Sequence, residues 1–128
     1  MSLFFKIHNI FSKSPKILAL NRNYNIVGNC TFSIIDKTNA CINNLYIDPK
    51  YRNCENGSKL LQYTEKILKT NFSIEKTTLL AHENVNSNLN IFFKKNGYFI
   101  SDTDYDIYDD GSNIYNLIPM HKHLNIKK

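Results

Sequence analysis

The chain has 128 residues, 42 % of them hydrophobic and 21 % charged, which suits one folded domain with a modest core and excludes a disordered segment. The formal net charge is +5, yet the lysines are scattered and Arg22 and Arg52 are the only arginines; nucleic-acid binding needs basic residues gathered on one face and is not expected, while a small anionic ligand suits the positive field. No apolar run approaches the roughly 20 residues of a membrane span, so no membrane contact is expected.

The first strand candidate is LFFKIHNIF (3–11), broken by Ser14-Pro15. The opening MSLFFKIHNIFSKSPK has no clean apolar stretch followed by a small-residue cleavage site, so no secretory leader is expected. The cytoplasm is the default location. The bias toward asparagine, lysine and isoleucine points to an AT-rich genome, and for a virus or parasite the host-cell cytoplasm takes its place. KILALN (16–21) is a short strand and NRNYN (21–25) a turn. IVGNCTFSII (26–35) alternates as a strand does, with Ile26, Gly28, Cys30, Phe32 and Ile34 on one side, and DKTN (36–39) turns it into ACINNLYI (40–47), making a hairpin. Asp48-Pro49 ends that strand.

The period then changes. Leu60, Leu61, Thr64, Ile67 and Leu68 recur at helical spacing. TTLLA within SIEKTTLLAHE (73–83) is a strand, and SNLNIFFKKNG (87–97) places Leu89, Phe92 and Phe93 on one helical stripe closed by Gly97. Residues 98–120 read as a long hairpin around an acidic middle. Four strands, helix, strand, helix and two strands predict an α/β (α+β) domain spanning 1–128.

Cys30, Cys41 and Cys54 are odd in number and lack CxxC spacing, and His121 and His123 stand two apart without a neighbouring cysteine; no metal site or disulfide framework is expected. The acidic run SDTDYDIYDDGS (101–112) is no EF-hand, since Ile107 stands at the glycine position. It is a solvated tip, or it draws a cationic amine toward a site.

YRNCENGSKLL (51–61) raises a sharper question. It joins a strand to a helix, where free backbone N–H groups and the helix dipole favour a phosphate. LYIDPKYRNCENGSKLL resembles the hallmark of the GNAT family of acyl-CoA-dependent N-acetyltransferases, a strand ending before Pro and Tyr-Arg, then an Arg/Gln-x-x-Gly-x-Gly turn opening a helix. Leu45, Ile47, Pro49, Tyr51, Arg52, Gly57, Ser58, Leu60 and Leu61 match. NSNLNIFFKKNGY matches the family's second motif with Asn86, Phe92, Phe93, Gly97 and Tyr98. The resemblance covers residues 16–120.

It implies a central mixed, mostly antiparallel sheet with helices on both faces. It also implies acetyl-CoA as co-substrate, with pyrophosphate on the backbone of Arg52, Asn53, Cys54, Glu55, Asn56, Gly57 and Ser58. Pantetheine would lie along Leu45, Tyr46 and Ile47, in a gap between strands 43–48 and 77–82. Asn86 would hold the pantetheine or CoA end, beside Phe93. The N–H of Leu45 or Tyr46 would serve as oxyanion donor.

Three departures qualify this. Glu55 occupies the first glycine position of the turn. Phe93 stands where many members have a tyrosine that protonates the leaving thiolate; Tyr98, Tyr115, Cys41 or water are the substitutes. Few residues separate the first two strands, where the family has two helices, so the acceptor side should be open or completed by a larger substrate or a second subunit, as in a homodimer. His82 and Glu83 are the candidate bases, with Asp48 a third. Two functions follow: acetyl transfer from acetyl-CoA directly to a primary amine of a small molecule or protein, or an inactive GNAT-like domain kept for CoA binding or interaction.

Overall fold

Alternation of apolar and polar residues builds the strand around Gly28–Ile34, because a strand turns every second side chain toward one face, whereas Ile17, Leu18 and Ala19 in the apolar run Lys16–Leu20 are buried on both faces. The computed structural model describes residues 3–12, 15–84, 87–101, 106–109, 111 and 114–124. In chain order its strands are β1 (Phe4–His8), β2 (Lys16–Leu20), β3 (Ile26–Ile34), β4 (Asn39–Ile47), β5 (Lys76–Asn84), β6 (Ser87–Asn88), β7 (Phe99–Ile100), β8 (Asp106–Asp109) and β9 (Ile114–His123); helix α1 spans Asn56–Phe72 and α2 spans Leu89–Lys95. The sheet runs β1-β2-β3-β4-β5-β9-β7, with β6 on β5 and β8 on β9. Among the described strands only β4 and β5 pair in parallel, as expected of strands joined through a helix. The expected hairpin ends appear as β7 paired with β9, while β8 is a further strand inside the stretch 101–112 expected to be the acidic tip.

Gly28 is required by packing. A Cβ there would lie 2.6 Å from the Tyr46 carbonyl oxygen and 2.7 Å from Ile47 Cδ1, so any side chain would push β4 off β3.

The core lies between the sheet and α1. Leu60, Leu61, Thr64 and Leu68, all on the expected helical stripe, are fully buried, against Ile17, Ala19, Cys30, Phe32 and Ala40. Phe72 packs edge-on to Phe32. Burying a leucine or isoleucine side chain contributes about 1.5–3 kcal/mol, so this layer supplies most of the fold's stability.

The α+β class and the mostly antiparallel mixed sheet are as expected, but the described helices do not flank the sheet. Both lie on one face. Asn96, at the end of α2, donates to Ser58 of α1 at 3.1 Å, and Phe92 of α2 packs on Gly57. Tyr98 reaches Glu65 of α1 and Thr77 of β5 at once. The opposite face leaves Phe4, Ile26, Tyr46, Leu80 and Phe99 exposed. The β1–β2 connection spans residues 9–15, and its described residues, 9–12 and 15, hold no helix to cover that face.

Candidate active site

Pairing of β4 with β5 stops early. It covers Asn39–Cys41 against Lys76–Thr78 and no more. The cause lies in β4, where Thr31 pairs with Asn44 but Phe32 with Ile42. Asn43 is therefore an extra residue, and such a bulge bends its strand. Its side chain is held outward by a 2.7 Å hydrogen bond to Ser33 Oγ. Beyond the bulge the strands splay and leave a cavity of about 710 Å³. Ile42–Ile47 form one wall, Leu79 and Leu80 of β5 the other, Leu89, Phe92, Phe93 and Lys95 of α2 close one side, and Arg52, Glu55, Gly57 and Ser58 form the end.

The exposed edge of β4 can be read by parity. The Asp48 N–H donates to Val27 of β3 at 2.8 Å. Successive N–H groups alternate in direction along a strand, so Tyr46 also faces β3, while the N–H groups of Leu45 and Ile47 face the gap. The Ile47 carbonyl is taken by Arg52 Nε at 2.7 Å. That bond and the Tyr46 ring, 5.5 Å from the guanidinium, fix Arg52 at the cavity's end.

Pro49–Cys54 form a 3-10 turn, which Pro49 begins with its preset φ. Tyr51 is buried in it, and its hydroxyl accepts from Asn21. Glu55 then adopts the left-handed conformation, φ 57°, and caps α1 without a side-chain hydrogen bond. The first intrahelical bond runs from Lys59 N–H to the Glu55 carbonyl. The N–H groups of Asn56, Gly57 and Ser58 thus belong to the partnerless first turn of a 17-residue helix, where anions are favoured. At Gly57 an added Cβ would meet only the Phe92 ring at 3.5 Å. The protein itself does not require glycine there, and its absence of a side chain keeps the cavity end open.

The cavity gathers Leu45, Tyr46, Ile47, Arg52, Glu55, Gly57, Ser58 and Phe93 from the expected cofactor-binding set. Asn56 lies behind it, fully buried, donating to the Tyr51 carbonyl at 2.8 Å while its Oδ1 has no partner. Asn53 and Cys54 belong to the 3-10 turn by their backbone, and His82 and Glu83 to β5, opposite Leu117 and Asn116; their side chains, with Asn86 altogether, lie outside the described residues. Most of the acidic stretch does too. Among its described parts, Asp109 accepts from Gly111 N–H in the turn between β8 and β9.

Tyr98 is corrected. It was a candidate proton donor, but only 2 % of it is exposed, and its hydroxyl bonds Glu65 at 2.9 Å and Thr77 at 2.8 Å. Burial first, then the Glu65 charge, push its pKa up from the ordinary value of 10.0. It is a structural phenol in the core and does not line the cavity. Sequence reasoning also missed Leu79, Leu80, Leu89 and Phe92 as lining residues. The helical stripe of Leu89 and Phe92 was the available signal for two of them, and Leu79 and Leu80 lie on strand 77–82, which the resemblance already set beside the gap.

Among the described residues, no group of three or more His, Cys, Asp or Glu is placed to hold a metal ion, and no helix is long and apolar enough to cross a membrane.

The same architecture recurs in solved structures. A GNAT family acetyltransferase from Elizabethkingia anophelis with acetyl-CoA bound superposes with a TM-score of 0.74, covering 95 % of this chain and 98 % of its own at 15 % identity. The IAA acetyltransferase from Bacillus cereus gives 0.75, covering 96 % and 100 %, also at 15 %. At these identities the likeness is one of fold. The PaiA N-acetyltransferase from Thermoplasma acidophilum, in complex with coenzyme A, is 26 % identical with a TM-score of 0.67, over 88 % of this chain and 62 % of its own. No curated protein matches by sequence. The acetyltransferase (GNAT) domain model matches residues 14–99, which include β4, the 3-10 turn, α1 and α2, and the chain therefore belongs to the GNAT acetyltransferase family.

Proposed function

We propose that this chain transfers an acetyl group from acetyl-CoA to a primary amine by direct attack. The observation that carries the reading is the early parting of β4 and β5 over a cavity that ends at the open first turn of α1. The residues fit an extended pantetheine-pyrophosphate ligand. Backbone N–H groups of residues 56–58 and Arg52 would hold the pyrophosphate, and the gap-facing N–H of Ile47 would pair with a pantetheine amide, leaving that of Leu45 for the thioester. Leu79, Leu80, Phe92 and Phe93 line the gap with apolar surface.

Acetyl-CoA supplies a thioester carbonyl to a neutral amine. The chain must then provide an oxyanion donor, a proton acceptor and a route for the amine. By parity Leu45 N–H suits the first role better than Tyr46 N–H. His82 or Glu83, on the splayed β5, would take the amine proton, with Asp48 the alternative. Phe93 has no hydroxyl to protonate the departing thiolate, so solvent would do so, which a thiolate of ordinary pKa tolerates. The amine would approach from the uncovered sheet face. Its identity, whether on a small molecule or a protein, rests on loops that differ between proteins of this fold.

Phe93 also favours a second reading, a domain that binds CoA without chemistry. Isothermal titration of acetyl-CoA, with Gly57→Glu as control, tests the shared part. Micromolar binding abolished by the substitution supports a cofactor on the α1 turn, and no binding at millimolar ligand sinks both readings. Release of CoA thiol on adding amines then separates enzyme from binder.

A further inference from the structure

Ser58 directly follows Gly57, the last glycine of the family turn, and its side chain lines the end of the cavity. The Asn96 amide nitrogen touches two atoms: the Phe92 carbonyl at 2.9 Å and Ser58 Oγ at 3.1 Å. A carbonyl only accepts, so the contact with Phe92 identifies the nitrogen and not the oxygen of the amide. The amide's two hydrogens are then both committed, and Ser58 Oγ accepts one of them. The Ser58 hydroxyl hydrogen cannot point at Asn96. It has no other partner among the described residues and is left for the cavity.

Asn96 is itself held at three places. Its N–H donates to the Phe92 and Phe93 carbonyls at 3.2 and 3.0 Å, and its carbonyl accepts from Lys122 Nζ at 2.9 Å. Lys122 is paired at 2.8 Å with Glu65, whose side chain is 8 % exposed. Glu65 also accepts from Tyr98. A part-buried ion pair between α1 and β9 thus pins the end of α2, and the end of α2 orients a hydroxyl on the first turn of α1.

We infer that Asn96 is a positioning residue that turns Ser58 into a hydrogen-bond donor for a pyrophosphate oxygen of acetyl-CoA. The inference rests on the acetyl-CoA reading and adds a side-chain donor to the backbone cradle. Fixing the rotor in advance removes part of the ordering cost of binding, and a donor to an anionic oxygen is stronger than one to a neutral group.

The test is a double-mutant cycle of Ser58→Ala and Asn96→Ala, read as Kd for acetyl-CoA and as KM for acetyl-pantetheine, which lacks the pyrophosphate. Each single change should weaken acetyl-CoA binding about tenfold, and the double change should be no worse than Ser58→Ala alone. KM for acetyl-pantetheine should stay within about twofold in all three variants. A merely structural Asn96 would weaken both ligands together, and that result overturns the inference. Effects of the two changes that multiply, or an unchanged Kd for Ser58→Ala, also overturn it. Ser58→Ala carries the decision if Asn96→Ala fails to fold. A wild-type chain that binds no acetyl-CoA refutes the underlying reading first; binding without coupling refutes only the role of Asn96.

Discussion

Glu55 carries two separable penalties, and two substitutions separate them. Its backbone is left-handed, φ 57°, which costs an L-residue about 1–2 kcal/mol. Its side chain is exposed and lines the cavity end where the pyrophosphate would sit. Like charges a few ångström apart repel by about 1 kcal/mol in bulk water and about 4 kcal/mol near a protein surface. An exposed carboxylate belongs near the lower figure, so removing its charge should tighten acetyl-CoA binding about fivefold at low salt. Glu55→Gln removes the charge and keeps the strain. It should tighten binding without raising Tm, since a carboxylate at a helix N-terminus is itself favourable by about 0.3–1 kcal/mol. Glu55→Gly removes both. Relative to Glu55→Gln, which lacks the same charge, strain relief less the extra unfolded-state freedom of glycine, about 0.5–1 kcal/mol, leaves a gain of about 0.5–1 kcal/mol, or roughly 2–4 °C in Tm. The assay is titration calorimetry of acetyl-CoA at about 20 mM and about 1 M salt, beside thermal unfolding of the free protein. The charge effect should vanish at high salt, where the screening length is about 3 Å. Equal affinities for Glu55→Gln and wild type at low salt would refute the electrostatic argument, and a Tm for Glu55→Gly no higher than that of Glu55→Gln would refute the strain argument.

Gly28→Ala should destabilise the chain by about 2 kcal/mol or more, because the added methyl meets a backbone carbonyl at 2.6 Å; a denaturant midpoint equal to wild type would contradict the packing. Phe93→Tyr should raise kcat by about 10- to 100-fold if a hydroxyl there can serve as general acid, with Kd for acetyl-CoA unmoved, as thiol release and calorimetry would report. Burial pushes the Cys30 thiol up from 9.0 to about 12. The folded chain keeps a proton that the unfolded chain gives up, so stability is full below about pH 9 and falls as pH rises toward about 12, by up to about 1.4 kcal/mol per unit. Cys30→Ser should flatten the first part of that decline; an unchanged slope between pH 9 and 10 assigns it to other groups, Tyr98 among them.

Local sequence determined the elements and the family of this chain. Period-two alternation located β3, short runs bounded by turns located β2 and β4, period-three-and-four spacing located α1, and Arg52, Gly57 and Phe93 stood at motif positions, because backbone sterics and one-sided burial act over a few residues at a time. Helices on both faces were expected from the family, and the brevity of residues 9–15 was visible, but that the described helices share one face depended on where the chain packs. The gap between β4 and β5 was expected only through the family resemblance, and its cause, a bulge at Asn43 defined by the register of β3, was beyond local reading. Tyr98 stood at a motif position and looked available for catalysis; burial beside Glu65, 33 residues away, made it structural. Asn96 and Ser58, 38 residues apart, meet only because both helices pack on one side of the sheet. Periodicity is written along the chain, whereas which hydroxyl faces a cavity depends on partners that the chain brings together only when the core closes.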